Sequence, residues 1–313
     1  VTGDGMTVVD TLIRTAVDHP NRTAVVAGPE RFTYHELEYA TGCVASSLRR
    51  RGVTPGAVVA VVADRGAATV VAMYGVMRAG AAYLPVEKHQ AAAFKNHVDR
   101  LQPALTLTVA DGNPPWGGVH VRLSECLESR PREVPPEPPS SDARAYTMFT
   151  SGSTGPAKAV GISYRNLDHY LTGLFERLPL AGLRNFACVS SLSADLGNTV
   201  LFGALAAAGC VHIVPDAVRN DGVRFEEYLR DEAIDVLKIT PSHLRSLIDW
   251  EIATQRRALP VLVLGGERLE RKFAMRLRDL GWAECIVNHY GPTEATIGAA
   301  LYVLSADSEM TRS

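Results

Sequence analysis

The sequence predicts an α/β protein built from two open lobes with mostly parallel sheets. Three observations carry that expectation. Apolar runs of strand length alternate with helical stretches along most of the chain. Several runs, Val58-Val59-Ala60-Val61-Val62 above all, are apolar at every position rather than every second one, as strands covered on both faces are. The alternation is broken at residues 131–139, where five prolines in nine residues read as an extended surface connection.

The elements follow in order. Thr33 stands three residues before Glu36, a capping box, and Leu37, Ala40, Val44 and Leu48 then recur at helical spacing until Gly52. Thr54-Pro55-Gly56 turns the chain into the first buried strand. A helix near 67–79 and a second apolar strand at 81–86 complete a strand–helix–strand unit. Beyond the prolines, strands are expected at 145–149, 186–190, 210–214, 234–239, 261–264 and 285–289. Helices are expected near 197–208, 222–231, 242–255 and 268–280. The predicted lobes are residues 50–185 and 186–313, with the helical region 1–50 packing on them and a cleft between.

Composition narrows the partners. Of 313 residues, 46% are apolar and 21% charged, which suits a folded chain with a sizeable core. Lys and Arg number 32 against 34 Asp and Glu, a formal charge of −2, so neither nucleic acid nor an anionic membrane is expected as a partner. The apolar stretch 57–86 is interrupted by Asp64, Arg65 and Arg78, too soon for a membrane span. Cys43, Cys126, Cys188, Cys210 and Cys285 are odd in number and form no CxxC pair, so reduced thiols and a cytoplasmic location are expected, with no metal site made by cysteines. No signal peptide follows Val1.

Three motifs carry chemistry. Thr150-Ser151-Gly152-Ser153-Thr154-Gly155, followed by Lys158, comes directly after an apolar strand. Small residues let backbone approach a polyphosphate, hydroxyls and amides donate to it, and the lysine adds positive charge. The lysine is not directly before Ser or Thr, so this is not a Walker loop. Asn288-His289-Tyr290-Gly291-Pro292-Thr293-Glu294 lies at a strand end, where open α/β sheets place ligands. There Glu294 could hold Mg²⁺ and Tyr290 could stack on a purine, though a Gly-Pro turn with a solvated Glu has the same pattern. Gly265-Gly266-Glu267 follows a third apolar strand. Ser151 and Ser153 lack a nearby His–Asp arrangement, which argues against a hydrolase, and His89 and His97 lack metal-site company.

Taken together, at these separations, the motifs resemble the adenylate-forming superfamily, and most closely adenylation domains of nonribosomal peptide synthetases. Phe32-Thr33-Tyr34 with Glu36-Leu37, and Arg78-Ala79-Gly80-Ala81-Ala82-Tyr83-Leu84-Pro85, agree as well, so the similarity runs from about residue 20 to 300. The resemblance implies a ligase that joins a carboxylate to the α-phosphate of ATP and passes the acyl group to the phosphopantetheine thiol of a peptidyl carrier protein. It implies that the Thr150 to Gly155 loop and Lys158 cradle phosphates, that Tyr290 stacks on adenine, and that Asn288, Gly291 and Gly265-Gly266-Glu267 lie near the nucleotide. Thr293 would contact phosphate and Glu294 would hold Mg²⁺. Departures are Gly155-Pro156-Ala157-Lys158-Ala159, where Pro normally precedes Lys directly and Gly follows it, Ser163-Tyr164-Arg165 in place of Ser-His-Arg, and Glu87-Lys88-His89-Gln90 in place of an Asp-Pro continuation. The family's small barrel, ribose-binding aspartate, hinge and lysine-bearing C-terminal lid do not occur before Ser313, so an incomplete core is expected.

The resemblance also carries the substrate-lining positions onto Asp195, Leu196, Thr199, Lys238, Val263, Gly265, His289, Ile297 and Gly298, a set similar to that of aspartate-activating domains. Asp195 would pair with the substrate ammonium. Lys238 lies within Val236-Leu237-Lys238-Ile239, where a charge is costly without a partner. It could reach solvent from a strand end, or meet a substrate carboxylate together with a protonated His289. His289 could equally be a core histidine bonded to backbone. L-Aspartate is the expected substrate, asparagine its nearest rival, and neighbouring synthetase domains the expected partners. A degenerate module with a binding or scaffold role is the reading from another class.

Overall fold

The computed structural model describes residues 6–109, 112–128, 139–150, 158–248 and 258–304. A helix absent from the expectations opens the fold: α1 (Val8–Asp18), whose Thr7 and Asp10 form a capping box. The hairpin β1 (Thr23–Ala27) and β2 (Glu30–Thr33) leads to α2 (Tyr34–Arg50), capped by Thr33 and Glu36 as its spacing predicts. Then come β3 (Val58–Ala63), α3 (Ala67–Arg78), β4 (Ala82–Glu87), α4 (Ala91–Leu101), β5 (Leu105–Thr108), β6 (His120–Arg122) and α5 (Leu123–Leu127). The second half holds β7 (Arg144–Thr150), β8 (Lys158–Ser163), α6 (Tyr164–Arg177), β9 (Asn185–Cys188), α7 (Asn198–Ala206), β10 (Cys210–Ile213), α8 (Asp216–Arg219), α9 (Gly222–Asp231), β11 (Val236–Ile239) and α10 (Pro241–Leu247). It ends with β12 (Leu259–Gly265), α11 (Arg271–Asp279), β13 (Ala283–Tyr290) and β14 (Ala300–Leu304).

Two sheets form. One has the order β6-β5-β3-β4-β7-β8 and is parallel except for the last pair; the other has the order β14-β13-β12-β11-β9-β10-β1-β2 and is parallel except at both edges. Residues 1–50 therefore do more than pack on the core, because β1 and β2 extend the larger sheet beside β10. The strand-length runs are parallel strands because helices cover both faces. On β3, Val59, Val61 and Ala63 face a central layer with α2, α3, α6 and α7, while Val58, Ala60 and Val62 pack outward towards α4 and Trp116. The larger sheet divides likewise, with Leu237, Ile239, Leu262 and Leu264 facing α9, α10 and α11.

The central layer explains α3, which buries eleven of its twelve residues and is too apolar to read as a surface helix. Tyrosine hydroxyls stitch this layer: Tyr74 donates to Leu201 O and Tyr164 to Met77 O. Among the described residues no helix is long and apolar enough to cross a membrane.

Candidate active site

The period-2 alternation of three neighbouring strands assembles the site. Lys238 on β11 pairs in register with Val263 on β12; Val263 pairs with Val287, and Gly265 with His289, on β13. All these positions lie on the face that looks into the central layer, at the carboxyl ends of parallel strands, where ligands bind in open α/β sheets. Across from them, the 3₁₀ turn Asp195–Gly197 leads into α7 and brings Asp195, Leu196 and Thr199 to the same side. Glycine is required twice here. A Cβ on Gly265 would stand 2.6 Å from Lys238 Nζ, and one on Gly298 would overlap the imidazole of His289.

Lys238 is completely buried, so it does not reach solvent. Its Nζ lies 2.6 Å from His289 Nδ1. Burial pulls its pKa down to about 7, with Asp195 acting in the opposite direction. Burial and the neighbouring lysine push His289 down to about 3. His289 is thus neutral, against the expectation of a second, protonated cation. Among the described residues its ring partners are side chains rather than backbone: its Nε2 is 3.3 Å from the Tyr170 hydroxyl, which is 2.9 Å from Thr199 Oγ1. Tyr170 comes from α6 and sequence reasoning missed it, because an aromatic at helical spacing reads as core. Asp195 is raised by desolvation and by Glu294, while Thr293 and Lys238 draw it back; its Oδ2 is buried and has no hydrogen-bond partner among the described residues.

The nucleotide motifs divide differently. Thr150 ends β7 and Lys158 begins β8, paired directly in an antiparallel hairpin. Ser151, Gly152, Ser153, Thr154 and Gly155 lie in the connection between them, outside the described residues. Lys158 is exposed. β8 packs against the 3₁₀ turn Thr293–Ala295, which brings the hairpin of one sheet to the Glu294 motif of the other. Tyr290 is 71% exposed, open for stacking on one face, with Asn288 and Gly291 beside it at the end of β13. Glu294 is exposed too. Its lone carboxylate suits Mg²⁺, which takes one or two protein carboxylates alongside substrate phosphates; no cluster of three ligand side chains exists among the described residues.

Glu267 has a local partner of its own. It accepts from Ser242 N at 3.1 Å and Ser242 Oγ at 2.7 Å, holding the first turn of α10. Gly266 has a φ of +82° and makes the turn that carries Glu267 there. Thr296 and Ile297 have φ of 62° and 67°, left-handed values that β-branched residues rarely adopt, and both are buried beside Gly298. A cavity of about 460 Å³ opens on the outer side of His289, lined among others by Tyr170, His169, Arg177, Glu294 and Gly298.

Two mostly parallel sheets, a β7–β8 hairpin packed against the turn of a Tyr-Gly-Pro-Thr-Glu strand end, and a carboxylate acting on a buried lysine are the features of an adenylate-forming fold. The chain belongs to the AMP-binding enzyme family, matching it over residues 12–313. It is 32% identical over 288 residues to surfactin synthase subunit 2 of Bacillus subtilis (strain 168), covering 90% of this chain and 8% of that protein. It is 33% identical to isonitrile lipopeptide synthase of Mycobacterium tuberculosis (strain ATCC 25618 / H37Rv), covering 90% of this chain and 11% of the relative. The chain therefore spans a small part of these curated relatives. In structure it is similar to the nonribosomal peptide synthetase FmoA3 in its alpha-methyl-L-serine-AMP bound form, with a TM-score of 0.86 and 25% identity, covering 97% of this chain and 35% of that one.

Proposed function

We propose that this chain is the nucleotide- and amino-acid-binding core of a nonribosomal peptide synthetase adenylation domain and that it activates L-aspartate. The observation that carries the substrate is a fully buried lysine among the proposed lining positions. Lys238 is fully buried, its nearest acceptor is a neutral histidine, and Asp195 balances its charge only from a distance. A substrate side-chain carboxylate supplies the missing anion, whereas asparagine leaves the ammonium unpaired. Asp195, with a buried free oxygen, takes the substrate ammonium at the other end. An α-amino dicarboxylate thus meets a charge of opposite sign at each end.

In this reading the chain's groups hold the α-carboxylate of aspartate against the α-phosphorus of ATP; the new O–P bond forms as pyrophosphate leaves. Tyr290 stacks on adenine, with Asn288, Gly265 and Gly266 at its edge. The segment Thr150 to Gly155 and Lys158 hold the outgoing phosphates, and Thr293 contacts phosphate. Glu294 would hold Mg²⁺, which neutralises charge on the phosphate oxygens when bound. The contribution of the protein is orientation and preorganised charge. The acyl group then passes to a carrier-protein phosphopantetheine thiol, with neighbouring synthetase domains as partners.

The test is calorimetric titration of the chain with non-hydrolysable aspartyl- and asparaginyl-adenylate analogues. Tighter binding of the aspartyl compound supports the reading. Preference for the asparaginyl compound would reassign the pocket, and binding of neither would remove the substrate assignment.

A further inference from the structure

We propose that Tyr170, a residue of α6 outside the pocket set named above, is a positioning residue that fixes the tautomer and ring orientation of His289 and through it keeps Lys238 a hydrogen-bond donor. The proposal deepens the aspartate reading and rests on it for its consequence in specificity. It stands on one geometric fact. The Tyr170 hydroxyl bridges two lining residues from different elements, His289 of β13 at 3.3 Å and Thr199 of α7 at 2.9 Å.

The proton inventory of this chain of four groups is restrictive. When Lys238 carries its proton it has only donors, so the 2.6 Å contact then makes His289 Nδ1 an acceptor. The one proton of neutral imidazole then sits on Nε2 and donates to the Tyr170 oxygen. The Tyr170 proton is directed to Thr199 Oγ1. Burial pushes the Tyr170 phenol upward, so it keeps that proton.

The reverse arrangement needs a neutral Lys238 amine accepting from Nδ1–H, with Tyr170 donating to Nε2. A neutral amine no longer distinguishes a carboxylate from an amide. Tyr170 therefore decides which of two arrangements the pocket presents, although it touches neither Lys238 nor, in this reading, the substrate. The charged and titratable groups around the chain are Asp195, which acts on both Tyr170 and Lys238, and His169, Arg177 and Glu294 along the adjoining cavity.

The experiment uses the 313-residue chain labelled with ¹⁵N in its histidines, with the His289 signals assigned by their loss in His289→Asn. At pH 5.5, where Lys238 carries its proton and His289 does not, the native chain is expected to show one tautomer, protonated on Nε2 and bare on Nδ1. Tyr170→Phe removes one oxygen and is expected to give mixed tautomers. It should also narrow the preference for the aspartyl over the asparaginyl analogue by roughly two- to tenfold, the worth of one buried hydrogen bond.

Thr199→Val keeps the Tyr170 ring and removes the partner of its hydroxyl; because Thr199 also lines the proposed pocket, this variant is read by the tautomers alone, which should shift in the same direction, and it decides the matter if Tyr170→Phe does not fold. A native His289 protonated on Nδ1, or variants that leave both tautomer and preference unchanged, would overturn the role of Tyr170. A native chain without aspartyl preference overturns the substrate reading instead, while the tautomer measurement still decides what Tyr170 does to His289.

Discussion

An ammonium removed from water must recover several kcal/mol from its surroundings, or give up its proton, and Lys238 stands at that balance. Its pKa of about 7 lies below the ordinary value of 10.5, so between pH 7 and 10.5 the unfolded chain binds more protons here than the folded one. The contribution of this group to stability accordingly rises with pH through that window, and its burial penalty is fully present below pH 7. Lys238→Met should flatten that slope in denaturant titrations between pH 7 and 10, the relief of a buried charge at pH 7 being offset by the His289 Nδ1 that loses its partner. The same substitution should weaken aspartyl-adenylate analogue binding by about 1.5–3 kcal/mol, roughly tenfold to a hundredfold, and leave the asparaginyl compound nearly unaffected. Equal losses for both would mean that Lys238 does not meet the carboxylate. His289, depressed to about 3 from 6.5, behaves with its own sign: the folded form resists protonation, so stability present above pH 6.5 falls as pH drops towards 3.

Elements show where local pattern suffices and where packing takes over. Gly75 of α3 faces Val44 of α2, and a Cβ there would stand 2.5 Å from two Val44 carbons. Gly75→Ala should cost about 1–3 kcal/mol by overpacking. Adding Val44→Ala should recover part of that loss in a double-mutant cycle; strict additivity would show that the two helices do not approach as described. On α6, Asp168 is raised to about 7 by burial and by Asp10 of α1, and its Oδ1 is buried without a partner among the described residues. This carboxyl holds its proton longer in the folded chain, so its stabilising contribution is complete below pH 3.8 and lost as pH rises through 7. Asp168→Asn should therefore raise the melting temperature at pH 8 and leave it nearly unchanged at pH 3.5. The buried strands and the Thr33 helix were legible because each carries its whole signal within a few residues. α1 carries the same kind of local signal, since Thr7, Asp10, Val8, Val9 and Leu12 form a box and an apolar face. β2 was not legible, because Glu30–Thr33 is a polar edge strand with no apolar run, and β1 and β14 carry apolar runs of only four or five residues, too short to stand out. In the site, Lys238 stood out as a charge in an apolar strand. Tyr170 and the left-handed backbone of Thr296 and Ile297 did not, because their meaning lies in partners 29 and 119 residues away or in backbone strain.

At the scale of the molecule, the two sheets must keep a fixed relation, since the hairpin at Lys158 belongs to one and the Lys238–His289 pocket to the other. Hydrophobic packing of the central layer supplies adhesion but little direction, because apolar contacts do not depend on angle. Direction comes from polar links that cross the layer, and Arg65 is the clearest. It follows β3 of the smaller sheet, its side chain is 7% exposed, and its Nη2 donates to Cys188 O at 2.8 Å and Val214 O at 3.2 Å at the ends of β9 and β10 in the larger sheet. Its ion pair with Asp216 at 3.6 Å adds little, because that carboxylate is 67% exposed. Cys188 O also accepts from Val214 N, so removing the arginine orphans chiefly Val214 O. Arg65→Met should then cost about 1–3 kcal/mol, read as a lower urea midpoint. The loss should be directional as well: amide exchange should quicken at the carboxyl ends of β9 and β10 while the middles of β3 and β4, buried on both faces, stay protected. Uniform acceleration across both sheets would show that Arg65 contributes only to global stability. A local response, accompanied by weaker binding of the adenylate analogue but little change for a free amino acid, would show that it holds the nucleotide half of the site in register with the substrate half.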